Sequence, residues 1–153
     1  AHLHGHDHEV AAWVGHSAGG TLALWRALTP DLPPVRAVEL APVADLAAAE
    51  AEGLGDGAVR EWIGAGPQER PRAWEVLDPV RLLAADRAAA QRIHLVHGDA
   101  DETVPVSQSR CLGTDLTVVE GAHHFDLVDP ASPHWPQVLT VLRESARGAG
   151  PSS

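Results

Sequence analysis

A serine flanked by glycines is the first residue of this sequence whose surroundings suggest chemistry. Ser17 stands in Gly-His-Ser-Ala-Gly-Gly, residues 15–20, and fits the G-x-S-x-G pattern of a nucleophile on a sharp turn from a strand into a helix. Such a turn crowds its neighbours, so the glycines at positions 15 and 19 are expected to relieve clashes that a Cβ would cause. The alternative is that the serine only caps the helix.

The helix predicted to begin after Ser17 bears on the same chemistry. The first N–H groups of a helix have no partner within it, and its N-terminus carries partial positive charge. We therefore expect the N–H of Ala18 to stabilise the oxyanion that forms when Ser17 attacks a carbonyl group.

A serine nucleophile needs an imidazole to take its proton and a carboxylate to orient that imidazole. Two later loops contain both groups: residues 97–105 read His-Gly-Asp-Ala-Asp-Glu-Thr-Val-Pro, and residues 120–126 read Glu-Gly-Ala-His-His-Phe-Asp. The residues alone leave two candidate acids and two candidate bases, which are Asp99, Asp101, His123 and His124.

Four short apolar runs predict the strands that must position these loops. Continuous rather than alternating hydrophobicity is typical of strands buried on both faces of a parallel sheet. With helices predicted over Ser17–Leu28 and Trp135–Ala146, the pattern indicates an α/β fold: a mostly parallel sheet of about four strands flanked by helices. The carboxyl ends of such strands share one edge, so Ser17 and both loops should meet there. The four runs are Val10–Val14, Val35–Leu40, Ile93–His97 and Leu116–Val119.

The stretch from residue 43 to residue 92 is the least regular part of the sequence. Repeated glycines divide it, so it is predicted to form a crossover helix plus a lid-like excursion over the carboxyl ends of the strands. Trp62 and Trp74 are expected either to line an apolar acyl or aryl pocket there or to pack the excursion against the sheet. The domain prediction is one domain over residues 1–146 and a disordered Gly/Pro/Ser tail over 147–153.

Taken in order, the three motifs resemble the α/β-hydrolase superfamily, in particular its small esterase and kynurenine-formamidase-like members. The resemblance extends from Val10 to Leu142 and is carried by GHSAGG, HGDADETVP and GAHHFDLVDP. It implies a C-terminal portion of an α/β-hydrolase fold, with Ser17 as nucleophile, Asp101 as acid and His124 as base. It also implies hydrolysis through a covalent acyl-enzyme, with no cofactor.

Two features depart from the pattern of that superfamily. The sequence reaches its serine at position 17, without the strands and the His-Gly-Gly motif that usually come first, and that motif supplies a second oxyanion donor. Loss of one such donor lowers turnover by about 10²–10³-fold. Without those strands, Val10–Val14 is expected to form an open apolar edge, which favours pairing with a second copy of the chain. The link from Asp101 to His124 is also short, with room for barely a turn and a half of helix over Val106–Cys111.

The remaining histidines fall into two groups, and only one of them suggests metal binding. His16 and His97 each lie beside a glycine at the end of an apolar run and are expected to pack and to hydrogen-bond. Four histidines alternate at the start of the sequence, where an extended segment would place the rings on one side and bind Zn²⁺ or Ni²⁺ weakly. The favoured interpretation is a loop leading into the first strand, without a metal site; these residues are His2, His4, His6 and His8.

The composition of the chain disfavours several classes of binding partner. The chain of 153 residues has a net charge of −10, and its basic residues form no stripe, which disfavours nucleic acid and anionic membranes as partners. The single cysteine, Cys111, excludes an internal disulfide, and no run approaches the ~18 apolar residues of a membrane helix. No leader pattern opens the sequence, so a cytoplasmic location is expected.

These observations predict a serine hydrolase that cleaves a small carboxylic ester or amide. The alternative is a truncated, hydrolase-like domain of weak or no activity that acts in binding or assembly.

Overall fold

A computed structural model describes residues 10–147 of the chain. Four strands form one sheet in the order β1-β2-β3-β4, and every neighbouring pair is parallel. The α/β architecture predicted from the sequence is therefore confirmed. The strands are β1 Trp13–His16, β2 Ala37–Leu40, β3 Ile93–Gly98 and β4 Asp115–Val119.

Helices cover both faces of this sheet. On one face, Leu24 of the first helix and Leu83 of the fifth pack on Leu95 of β3. On the other face, Val138 of the last helix packs on Val38 and its neighbours. Successive side chains of β2 point to opposite faces of the sheet, as they must in an extended strand. The α-helices are α1 Ala18–Leu28, α2 Leu46–Glu52, α3 Ala58–Ile63, α4 Pro71–Leu77, α5 Pro79–Ala85, α6 Ser107–Arg110 and α7 Trp135–Arg147.

The first strand lies later than its apolar run predicts. The sequence indicates Val10–Val14, whereas β1 spans Trp13–His16, and the first ladder bond runs from the Trp13 N–H to the carbonyl of Arg36. Among residues 10–147, the ladder with β2 begins at that bond. Strand β2 likewise begins at Ala37 rather than at Val35.

The predicted open edge is present among the described residues. Strand β1 pairs with β2 on one side only, and it exposes 45% of Trp13 and 52% of Val14. These two side chains project to opposite faces of the strand, so apolar surface reaches solvent on both sides of this edge.

The excursion between β2 and β3 consists of short helices with a small core of its own. Trp74 is fully buried in that core and donates its Nε1–H to the carbonyl of Ala65. Left-handed backbone at Gly53 and Gly64 ends α2 and α3, which explains why no long helix forms. The core residues of the excursion are Leu46, Ala49, Val59, Ile63 and Trp74.

The short link between the acid and base loops is anchored by one side chain. Helix α6 is a single turn over Ser107–Arg110, shorter than the turn and a half expected over Val106–Cys111, and Gln108 within it is buried. The Oε1 atom of Gln108 accepts the N–H groups of Ala44 and Asp45, which follow β2. The link is thus fastened to the start of the excursion, and this contact holds the loop after β3 beside the loop after β2.

Helix α7 extends to Arg147, one residue beyond the predicted end, so Arg147 does not belong to the predicted tail. The rest of that tail and the histidines at positions 2, 4, 6 and 8 lie outside the described residues. Between residues 10 and 147, no helix is long and apolar enough to span a membrane.

Candidate active site

Ser17 occupies a sharp turn between β1 and α1. Its backbone has φ 55° and ψ −124°, a conformation that residues other than glycine rarely adopt and that costs about 1–3 kcal/mol. Two backbone bonds hold it: the Ser17 N–H donates to the carbonyl of Leu40, and the carbonyl of Ser17 accepts the N–H of Thr21. Strain at a serine that neighbouring elements hold in place is typical of a functional turn.

Of the two glycines that the sequence analysis expects to relieve clashes around Ser17, only Gly15 does so. A Cβ on Gly15 would lie 2.4 Å from the carbonyl oxygen of Gly19, so position 15 admits only glycine. A Cβ on Gly19 itself would meet nothing within 4 Å, so the expectation that Gly19 relieves a clash is wrong. The second required glycine is Gly20, where a Cβ would lie 2.9 Å from the side chain of Pro42.

The side chain and the helix start are both available for chemistry. The Ser17 hydroxyl makes no hydrogen bond to any residue between 10 and 147, and Ser17 does not cap the helix with its side chain. Helix α1 begins at Ala18, whose N–H is one of the first-turn donors without a partner inside the helix.

Asp101 and His124 form a buried hydrogen-bonded pair at the same edge of the sheet. The Nδ1 atom of His124 lies 2.7 Å from Oδ2 of Asp101, and both side chains are almost fully buried. The other oxygen of Asp101, Oδ1, accepts the backbone N–H groups of Thr103 and Val104 at 2.9 and 2.8 Å. The carboxylate is thus oriented by its own loop, with one oxygen left for the imidazole.

The rival residues in these loops are placed differently. Asp99 is exposed and accepts the N–H of Gly121 through Oδ1. His123 is exposed, and its backbone N–H bonds to Asp126. Of the two candidate acids and two candidate bases, only Asp101 and His124 are hydrogen-bonded to each other.

His97 packs and hydrogen-bonds below the acid, as its position predicts. It is fully buried, and its Nε2–H donates to the carbonyl of Val104 at 2.8 Å while its Nδ1 accepts the hydroxyl of Ser109 at 2.7 Å. Burial lowers the pKa of His97, which keeps the ring neutral 3.5 Å from Asp101. These hydrogen bonds of His97 stabilise the turn that contains Asp101.

His16 is closer to the site than sequence reasoning anticipates. Its Nε2 lies 3.0 Å from the backbone carbonyl oxygen of His124, and the two ring centroids are 4.5 Å apart. The only available signal was its adjacency to Ser17, since nothing in the sequence indicates which loop it meets.

Glu39 is a buried carboxyl that the sequence analysis missed. It lies on β2 opposite Gly15, is inaccessible to solvent, and neither carboxyl oxygen has a hydrogen-bond partner among the described residues. Burial raises its pKa to about 9, and the nearby Gly15 N–H lowers it only partly. Glu39 is therefore a neutral acid at pH 7, and its Oε2 lies next to Gly20 in the first turn of α1.

An apolar cavity of about 410 Å³ adjoins Ser17. Trp62 of the excursion lines it and is 49% exposed, whereas the other candidate tryptophan, Trp74, does not line it. The excursion thus has one tryptophan at the cavity and one in its own core. No charged side chain lines this cavity; the lining residues are Ser17, Ala18, Thr21, Leu22, Val43, Leu46, Leu54, Gly55, Ala58, Val59, Trp62, Thr103 and Val104.

Within residues 10–147, no group of His, Cys, Asp and Glu side chains is arranged to hold a metal ion. The imidazole of His124 and the carboxylate of Asp101 are hydrogen-bonded to each other.

A parallel sheet with a strained serine turn after its first strand defines the class of protein: the chain is a member of the α/β-hydrolase superfamily. The family model described as BD-FAE matches residues 1–116. The chain belongs to this BD-FAE family. The search of curated proteins found no match.

Several solved structures share this fold. A thermophilic esterase from Thermogutta terrifontis aligns with a TM-score of 0.61 and 22% identity over 92% of this chain and 57% of its own. The esterase domain of a Rhodothermus marinus protein gives 0.62 and 19% identity over 92% of this chain and 62% of its own. A puromycin hydrolase gives 0.70 and 20% identity over 90% of this chain and 22% of its own. The present chain therefore spans less than two thirds of each.

Proposed function

We propose that this protein is a serine hydrolase that cleaves a small ester or amide. The observation that carries the proposal is the 2.7 Å hydrogen bond between His124 and Asp101 at the sheet edge where Ser17 occupies its strained turn. A carboxylate only accepts, so Nδ1 of His124 carries the ring proton, and Nε2 of the neutral ring is left to take a proton from a hydroxyl.

The reaction proceeds through a covalent intermediate. The Oγ of Ser17 bonds to the substrate carbonyl carbon while its proton passes to Nε2 of His124, and the N–H of Ala18 stabilises the negative oxygen. The bond to the leaving group then breaks, and His124 returns the proton to the departing alcohol or amine. Water next attacks the acyl group on Ser17 in the same way, which releases the carboxylic acid and restores the serine. Asp101 stabilises the imidazolium in each step.

The cavity beside Ser17 supports a neutral, apolar acyl or aryl group as the part of the substrate that is bound. Its lining contains no charged side chain, and a charged substrate group there would lose its hydration without gaining a partner. The chain's net charge of −10 also disfavours anionic substrates. The esterases among the structures of similar fold support an ester as the bond cleaved.

Labelling with a fluorophosphonate tests the proposal directly. We expect the folded wild-type protein to be labelled at one site, and Ser17→Ala to remain unlabelled, because phosphonylation requires a serine activated by an adjacent base. Circular dichroism of both proteins serves as the control for folding. A folded wild type that takes no label would refute hydrolysis and favour the alternative, a hydrolase-like domain that binds a partner, for which the exposed edge of β1 is the candidate contact.

Trp62 is expected to determine preference for the size of the acyl group. Trp62→Ala should lower kcat/KM for p-nitrophenyl hexanoate by about 10-fold, which is ~1.4 kcal/mol of lost apolar contact, and change the value for the acetate by less than about twofold. Trp13→Ala is a matched control, since Trp13 is comparably exposed on β1 but lies away from the cavity. Equal losses for both esters would contradict this role.

A further inference from the structure

His16 joins the turn of the proposed nucleophile to the loop of the proposed base. Its Nε2 lies 3.0 Å from the backbone carbonyl oxygen of His124, which is 108 positions later in the chain. A carbonyl oxygen only accepts, so Nε2 of His16 carries the proton and donates it. The main chain of His124 is therefore tied to the residue directly before Ser17.

The rings of the two histidines are also in contact. Their centroids are 4.5 Å apart with planes tilted by 43°, and Phe125 lies edge-on to His124 at 5.1 Å. His124 is thus restrained three ways: its Nδ1 by Asp101, its carbonyl by His16, and its ring by the ring of His16. The first restraint orients the imidazole, and the other two tie His124 to His16, the residue directly before Ser17.

The charge of His16 matters because His124 becomes cationic during the proposed reaction. A neutral ring at this distance tolerates an imidazolium, whereas a protonated His16 would repel it. The ionisable groups that face His16 are His124 and Asp101. Burial lowers the pKa of His16, and a positive charge on His124 lowers it further, while the hydrogen bond to the carbonyl and the charge of Asp101 act in the opposite direction. His16 is therefore neutral at pH 7.

We propose that His16 is a positioning residue for the base: its Nε2–H holds the main chain of His124, and its uncharged ring supports the imidazole of His124. This inference rests on the proposed function for its kinetic consequences, and on geometry alone for its structural ones.

Two substitutions separate the donor from the ring. His16→Gln keeps an uncharged N–H donor and loses the ring, and His16→Phe keeps a ring and loses the donor. With p-nitrophenyl acetate we expect kcat of His16→Phe to fall about 10-fold with KM within twofold, and His16→Gln to recover about half of that loss on a logarithmic scale. A side chain that only stabilised the fold would not produce this split between kcat and KM.

The pH profile gives a second kinetic readout. In the wild type, a protonated His16 would repel the positive charge that the proposed reaction places on His124, so log kcat/KM should fall more steeply at acid pH than in the two variants. Neither variant can be protonated at position 16, so both should fall with the same, shallower slope. A slope that is the same in all three proteins, together with kcat values within twofold, would overturn the inference.

Nuclear magnetic resonance of the protein with ¹⁵N-labelled histidine tests the geometry without any activity. In the wild type, His16 should show the Nε2–H tautomer, and the Nδ1 proton of His124 should exchange slowly with water. That exchange should remain slow in His16→Gln and become at least about 10-fold faster in His16→Phe, because the loop has lost its tether. Unchanged exchange in His16→Phe would overturn the positioning role even if the wild type hydrolyses nothing, whereas missing hydrolysis with the expected exchange would count only against the proposed function.

Discussion

Under the proposed mechanism, replacing Asp101 with asparagine is expected to lower kcat by a factor on the order of 10⁴, the loss that this substitution causes in Ser-His-Asp triads. The reason lies in how the carboxylate is held. Its Oδ1 accepts the backbone N–H groups of Thr103 and Val104, so an asparagine must keep its oxygen there and turn its NH₂ group toward His124. An NH₂ group facing Nδ1 forces that nitrogen to accept, which moves the ring proton to Nε2. His124 can then no longer take a proton from Ser17.

Asp99→Asn is the matched control for this prediction. Asp99 is exposed in the same loop, and it uses only Oδ1, which asparagine retains, to accept the N–H of Gly121. We expect its kcat to stay within about threefold of the wild type. Steady-state hydrolysis of p-nitrophenyl acetate measures both variants. Similar activity in the two variants, whether high or low, would contradict the assignment of Asp101 as the acid.

Replacing Glu39 with glutamine is expected to stabilise the protein at neutral and alkaline pH. The pKa of Glu39 is about 9 in the folded protein, because burial disfavours the charged form, against an ordinary value of 4.5. Between these two pH values the folded state binds a proton that the unfolded state has released, so the stability contributed by this group falls as pH rises. The loss is about 1.4 kcal/mol per pH unit, and it is complete once pH passes the folded pKa.

Urea unfolding of the wild type and Glu39→Gln at pH 5, 6.5 and 8 measures this difference. The advantage of the variant in free energy of unfolding should grow by about 4 kcal/mol from the lowest to the highest pH. Glu75→Gln is the control, since Glu75 is exposed on α4, where solvent hydrates the carboxylate in both states. Parallel curves of stability against pH for the wild type and Glu39→Gln would contradict a neutral, buried Glu39.

The elements of the fold follow from local patterns, so the sequence predicts them well. Four continuous apolar runs correspond to four parallel strands, and the helix after Ser17 begins and ends within one residue of its prediction. The error at β1 arises because the length of a ladder depends on the partner strand. Pairing with β2 begins at Trp13, whereas the apolar run alone extends back to Val10.

The candidate site is predictable only in part. Each motif is a local pattern that the sequence shows, whereas the contacts between motifs join segments far apart in the chain. The resemblance of the three motifs to those of the α/β-hydrolase superfamily points to Ser17, Asp101 and His124. The sequence does not show which of the two tryptophans lines the cavity. Trp62 and Trp74 occupy similar patterns, and only packing places Trp74 in the core of the excursion. Likewise the pattern around Ser17 contains three nearby glycines, and only three-dimensional proximity to Pro42 makes Gly20, rather than Gly19, the second required glycine besides Gly15.

The sequence by itself determined the fold class, the strained serine turn and the loops that carry an acid and a base, because each depends on residues adjacent in the chain. Only the tertiary structure decided that His16 contacts His124, that Glu39 is buried without a partner, and that an apolar cavity adjoins Ser17. Each of these is a contact, or a missing contact, between segments far apart in sequence. Such relations depend on how the helices and strands pack, which no local pattern encodes.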